Sequence, residues 1–104
     1  MTTEDFLKLA DVRMAQCRDL LAGSKNAEYT RNNDKMHNFK AAARLQGCTP
    51  ERALLGMWSK QIISILDLID DIDADRPLDL DLVAEKITDN INYALLLEGL
   101  IRER

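Results

Sequence analysis

Proline and glycine are scarce in this sequence, with two Pro and four Gly among 104 residues. So few backbone breakers exclude a collagen-like or loop-dominated chain and leave room for long uninterrupted elements. Val occurs only at Val12 and Val83, while Leu, Ala and Ile are common, a balance that favours helices over strands. Two cysteines, Cys17 and Cys48, show no CxxC spacing. Both are expected to stay reduced in a cytoplasm, one in a core and one near a helix end. No cluster of Lys and Arg stands out, and the net charge is -4, so duplex nucleic acid is not an expected partner. Apolar runs are too short to span a bilayer. The opening "MTTEDFLKLADVR" is acidic and amphipathic, unlike a secretory leader, so a cytoplasmic, non-membrane protein is expected.

What remains is a chain with 46% hydrophobic and 31% charged residues, the balance of a folded helical domain. Its length fits one domain spanning residues 1–104. Helical spacing of Phe6, Leu9, Ala10, Met14, Cys17, Leu20 and Leu21 predicts a first helix over Thr3 to Ala22, capped by Thr2 or Thr3 and stopped by Gly23. "SKNAEYTRNND" lacks an apolar period and reads as a loop anchored by Tyr29. A second helix is expected from Asp34 to Gln46, stopped at Gly47. In "GCTPER", Thr49 is an N-cap and Pro50 takes the first helical position, opening a third helix to about Ile72. Pro77 prevents its continuation, and a fourth helix runs from Leu80 to Arg102 with Asp79 as a candidate cap. The expected fold is all-α and four-helix-bundle-like, with the third and fourth helices as a long antiparallel pair. It is also expected to be oligomeric, because so many amphipathic segments carry more apolar surface than one small bundle covers. Leu54, Trp58, Leu97 and Leu100 are the candidate subunit contacts.

Three polar groupings interrupt the apolar pattern. On the fourth helix, Glu85, Asp89, Asn92 and Leu96 share a face inside a stretch, "TDNINYALLL", that is apolar almost all round. A buried carboxylate needs a partner, and Lys60 on the third helix is the expected one. The alternatives are a structural Lys60–Asp89 pair that sets helix register, a polar pocket between helices, or plain exposure. In "NNDKMHNF", Asp34, His37 and Asn38 lie within one turn of one another. His37 reads as a surface or capping residue or as a catalyst, and Asp34 as a helix cap or a metal ligand. Asp67, Asp70, Asp71 and Asp73 read as a solvated acidic helix end or a loose cation site.

In order along the chain stand K-x-x-x-Y (Lys25, Tyr29), Asp34 with the "NF" pair Asn38 and Phe39, the alanines Ala41, Ala42 and Ala43, Lys60, and D-x-x-N-Y (Asp89, Asn92, Tyr93). In this order the chain resembles small, mostly phage-encoded all-α proteins related in pattern to the MazG-like nucleotide pyrophosphohydrolases and the nucleotide-modification-associated families. The resemblance implies a dimeric or tetrameric bundle and a nucleotide or nucleotide-derived small molecule as ligand. It implies ligand-binding roles for Lys25, Tyr29, Asp34, Asn38, Lys60, Asp89, Asn92 and Tyr93. It also implies Mg²⁺ held by Glu85 and Asp89 for pyrophosphohydrolase-like processing. The metal motif departs from that family's: Glu85 and Asp89 are spaced E-x-x-x-D, and Lys60 and Gln61 stand where an E-x-x-E would lie. Two alternatives therefore accompany a nucleotide-processing protein: a non-catalytic binder of nucleotides or nucleotide-derived signals, and a structural or interaction bundle.

Overall fold

A computed structural model describes residues 1–23 and 33–104. Every regular element among them is a helix: α1 (Thr3–Ala22), α2 (His37–Gln46), α3 (Pro50–Asp73) and α4 (Leu80–Arg102). Local chemistry explains the boundaries. Thr2 caps α1 by accepting from the Asp5 N–H, and Thr49 caps α3 by accepting from the Arg52 N–H, with Pro50 in the first turn. Asp79 caps α4, its Oδ1 accepting from the N–H groups of Asp81 and Leu82. Gly47 ends α2 in the left-handed region at φ 66°, and the Cys48 N–H closes on the Ala43 carbonyl.

The second helix starts at His37 and not, as the sequence pattern suggests, at Asp34. Asp34 turns its carboxylate onto the backbone: Oδ1 accepts from the Met36 N–H at 2.9 Å, and the Asp34 carbonyl accepts from the His37 N–H at 3.2 Å. This Asx turn offers the chain an alternative to the helix. Asn33 before it takes a positive φ of 58°, which Asn tolerates better than most residues.

The α3–α4 interface is the most extensive between helices. Glu51 meets Arg104, Leu54 clusters with Leu100, Trp58 stacks on Tyr93, and Gln61 meets Asn90. The partner numbers fall on α4 as they rise on α3, so the two helices run antiparallel. α2 packs on α3, and α1 packs on α4, where the buried Cys17 thiol lies 3.8 Å from the Thr88 carbonyl. Phe39, Leu54 and Leu100 form the core, with Met36, Met57, Trp58, Tyr93, Leu96 and Leu97 against it. The four residues expected at a subunit contact are therefore placed inward: Leu54 and Leu100 are buried, and Trp58 and Leu97 pack on them. Leu45, in the last turn of α2, is 90% exposed. Both cysteines are free, Cys17 buried and Cys48 beyond the end of α2. No helix among the described residues is long and apolar enough to cross a membrane.

A candidate ligand crevice between the helices

Where α1, α2, α3 and α4 converge, they leave a crevice of about 400 Å³. Its polar lining comes from Lys35, Asn38, Gln61, Asp89, Asn92 and Tyr93, and its apolar walls include Phe39, Met57 and Leu96. The helical repeat explains this convergence on α4: Asp89, Asn92, Tyr93 and Leu96 fall within one face. On α3, Met57 and Gln61 are one turn apart on the inward stripe that also carries Leu54.

Asn92 is the least solvated polar residue of the lining, 8% exposed, and its Oδ1 is buried with no hydrogen-bond partner among the described residues. Gln61 Oε1 is likewise buried and unpartnered. An unmet acceptor of this kind costs about 1–3 kcal/mol, so two in residues that line one cavity need a reason. Asp89 adds a third cost. Burial raises its carboxyl pKa above the ordinary value, and the neighbouring Glu85 charge raises it further against a smaller opposing pull from Lys86. Lys35 brings the opposite charge. Its ammonium donates to the Leu21 carbonyl at 2.6 Å, tying the start of α2 to the end of α1, and it keeps further donor capacity for an anion.

Of the residues singled out from sequence, Asn38, Asp89, Asn92 and Tyr93 meet in this crevice. Lys60 does not: it is exposed, lines a shallower depression with Gln46, Gly56 and Gln61, and makes no ion pair with Asp89. It lies roughly a third of a turn off the inward stripe of α3, and it is not among the crevice's described lining residues. Asp34 is occupied elsewhere. Its Oδ2 pairs with Lys40 at 2.9 Å, and Lys40 also reaches Glu103 at 3.1 Å. The Lys40 hydrogen bond, with the Met36 N–H, holds the Asp34 carboxyl below its ordinary pKa, and the two carboxylates raise that of Lys40. Lys40 thus ties Asp34, before α2, to Glu103 at the C-terminal end of α4. Glu85 is exposed, one turn before Asp89. His37 opens α2 and does not line the crevice. Lys25 and Tyr29 lie outside the described residues.

Two polar residues of the described lining escaped the sequence reading as site residues, Lys35 and Gln61. Lys35 lies inside the helix expected from the sequence but before the helix that forms at His37, so helical phase does not give its direction. Gln61 shares the phase of Leu54 and Met57, and a polar residue at an apolar phase was the available signal. Among the described residues, no group of three or more His, Cys, Asp or Glu side chains is placed to hold a metal ion. The acidic end of α3 is largely solvated, with Asp71 paired to Arg76 at 2.9 Å. No family model, curated protein or solved structure matches the chain.

Proposed function

We propose that the chain binds a nucleotide or nucleotide-derived small molecule in this crevice. The observation that carries the reading is the buried, unpartnered Oδ1 of Asn92, a residue that lines the crevice. Protein interiors rarely leave such an acceptor unmet, and a ligand N–H would meet it. Gln61 Oε1 offers a second acceptor to the same ligand. An amino-bearing heterocycle suits both, resting against Phe39 and Tyr93, while Lys35 faces the phosphate. The volume of about 400 Å³ lies within the range of small-molecule sites. The order of sequence motifs from Lys25 to Tyr93 supports the same ligand class.

A second reading, metal-assisted hydrolysis of the ligand's phosphate chain, has one observation in its favour. Glu85 and Asp89 repel each other across one helical turn, and Mg²⁺ would relieve that repulsion. Two carboxylates leave most of its coordination to water and phosphate oxygens, which Mg²⁺ accepts. Bound there, the ion would lower the pKa of an attacking water. Among the described residues Asp89 is the one carboxyl that lines the crevice, which favours binding over turnover.

A thermal-shift panel of nucleotides with and without Mg²⁺, followed by product analysis, tests both readings. A ligand at a hundred times its Kd stabilises by about 2.7 kcal/mol, a shift that should vanish in Lys35→Ala if a phosphate is recognised. Product formation that needs Mg²⁺ and is lost in Glu85→Gln would favour the second reading. No shift with any nucleotide would overturn both.

A further inference from the structure

The bundle leaves more large apolar side chains in water than it buries. Cys17, Phe39, Ala43, Ala53, Leu54 and Leu100 are the buried hydrophobics among the described residues. Against them stand two exposed sets. On α1, Phe6, Leu7, Leu9, Val12 and Met14 are 44–57% exposed, all of them N-terminal to the Cys17 anchor on α4. On α3, Leu55, Ile62, Leu66 and Ile69 are 37–54% exposed, and they recur at i, i+7, i+11 and i+14 as one straight stripe. Among the described residues α1 packs on α4, with no comparable contact to α3, so neither set covers the other within the chain.

Surface area says how much is missing. The chain exposes 7735 Å², whereas a folded monomer of 11.8 kDa should expose about 5,900 Å². The difference, about 1,800 Å², falls within the roughly 1,000–2,500 Å² that each protomer of an obligate dimer buries. The radius of gyration agrees, 15.8 Å against about 13 Å for a compact domain of this length.

We infer that these two faces dock on a second copy of this chain, the N-terminal half of α1 from each protomer lying along the α3 stripe of the other. One chain carries both a bare helical arm and a bare helical stripe, and a two-fold axis satisfies both contacts at once and closes the assembly. An isolated helical arm of that length is marginal in water, and the partner's α3 would supply the packing it lacks. The arrangement also bears on the crevice, because the C-terminal end of α1 is one of its walls through Leu20 and Leu21.

Light scattering and sedimentation equilibrium on the whole chain decide the matter, together with Val12→Glu on α1 and Leu66→Glu on α3. Wild-type protein at micromolar concentration should show twice the 11.8 kDa chain mass, or an even multiple of it, with a Tm that rises with concentration. Either glutamate should weaken association by about 100-fold or more, because it places an unpaired charge in the interface. A wild-type mass of one chain overturns the inference whether or not the variants fold, and so does an assembly that survives both glutamates.

Discussion

The indole N–H of Trp58 donates to Asn90 Oδ1 at 2.9 Å, bolting α3 to α4 from side chain to side chain. The Asn90 amide completes the latch by donating to the Gln61 carbonyl at 3.0 Å and to the Lys86 carbonyl at 2.8 Å. Trp58 in turn stacks on Tyr93, with ring centroids 6.3 Å apart and planes 10° from parallel. Asn90→Ala strands the indole N–H in a half-buried site, and a stranded donor costs about 1–3 kcal/mol. Urea unfolding should show that loss, with an unchanged m-value. A loss below about 0.5 kcal/mol, the range of ordinary surface changes, would mean the latch is not structural.

Asp89 gives a pH dependence of opposite sign to most carboxylates. Its folded-state pKa is raised, chiefly by burial and then by Glu85. The folded protein therefore holds this proton more tightly than the unfolded chain, and stability from this group is greatest below the ordinary value of 3.8. It falls as pH rises from there through the raised pKa, and the penalty is complete above it. Asp89→Asn should raise Tm at neutral pH, with the gain shrinking toward zero in acid. A variant less stable than wild type at neutral pH would show that the carboxylate is paired.

Asp34 works the other way. Its pKa is depressed by the Lys40 hydrogen bond first and the Met36 N–H second. The stability it adds is present above its unfolded value of 3.8 and is lost as pH falls through the depressed one. Asp34→Ala should lower Tm at neutral pH and leave it nearly unchanged in strong acid. Lys40→Ala in the same background should then cost less than it does alone. Equal Lys40→Ala effects in both backgrounds would dissolve the tie.

Leu54 is fully buried at the centre of the core cluster. Leu54→Ala should cost about 2–5 kcal/mol, the range for emptying a packed leucine site. In a core with so few buried residues, that is a large share of a typical stability of about 5–15 kcal/mol. A Tm within about 4 °C of wild type, the change expected for roughly 1 kcal/mol, would place Leu54 outside the core.

The helices were legible in the sequence because their ends are written locally. Thr2, Gly23, Gly47, Thr49, Pro50 and Asp79 each act within a few residues of themselves, and each stands where its chemistry placed it. The start of α2 was not, because Asp34 takes the Met36 N–H and Lys40 in place of a helical cap, and Lys40 also pairs with Glu103 at the far end of the chain. The crevice was half legible. Asp89 and Asn92 at an apolar phase of α4 pointed inward on spacing alone. The lysine beside them is Lys35 and not Lys60, since helical phase turns Lys60 outward while a turn carries Lys35 in. Of the residues expected at a subunit contact, Leu54 and Leu100 are covered within the chain itself. Leu54 and Leu100 are as apolar as Ile69 and Val12, and only the packing of α2 on α3 decides which set is already covered.

Asn92→Leu separates a ligand site from a structural amide in one comparison. Leu keeps the heavy-atom branching of the amide, though it is larger, and removes the unmet Oδ1, so the crevice loses its acceptor without leaving another polar group stranded. Calorimetric titration of wild type and Asn92→Leu with the best nucleotide from the panel is the direct measurement. The account expects saturable binding to the wild type and a loss of at least about tenfold, roughly 1.4 kcal/mol, in a variant that melts no lower. Equal affinity in the two proteins, or no heat of binding to either, would contradict it.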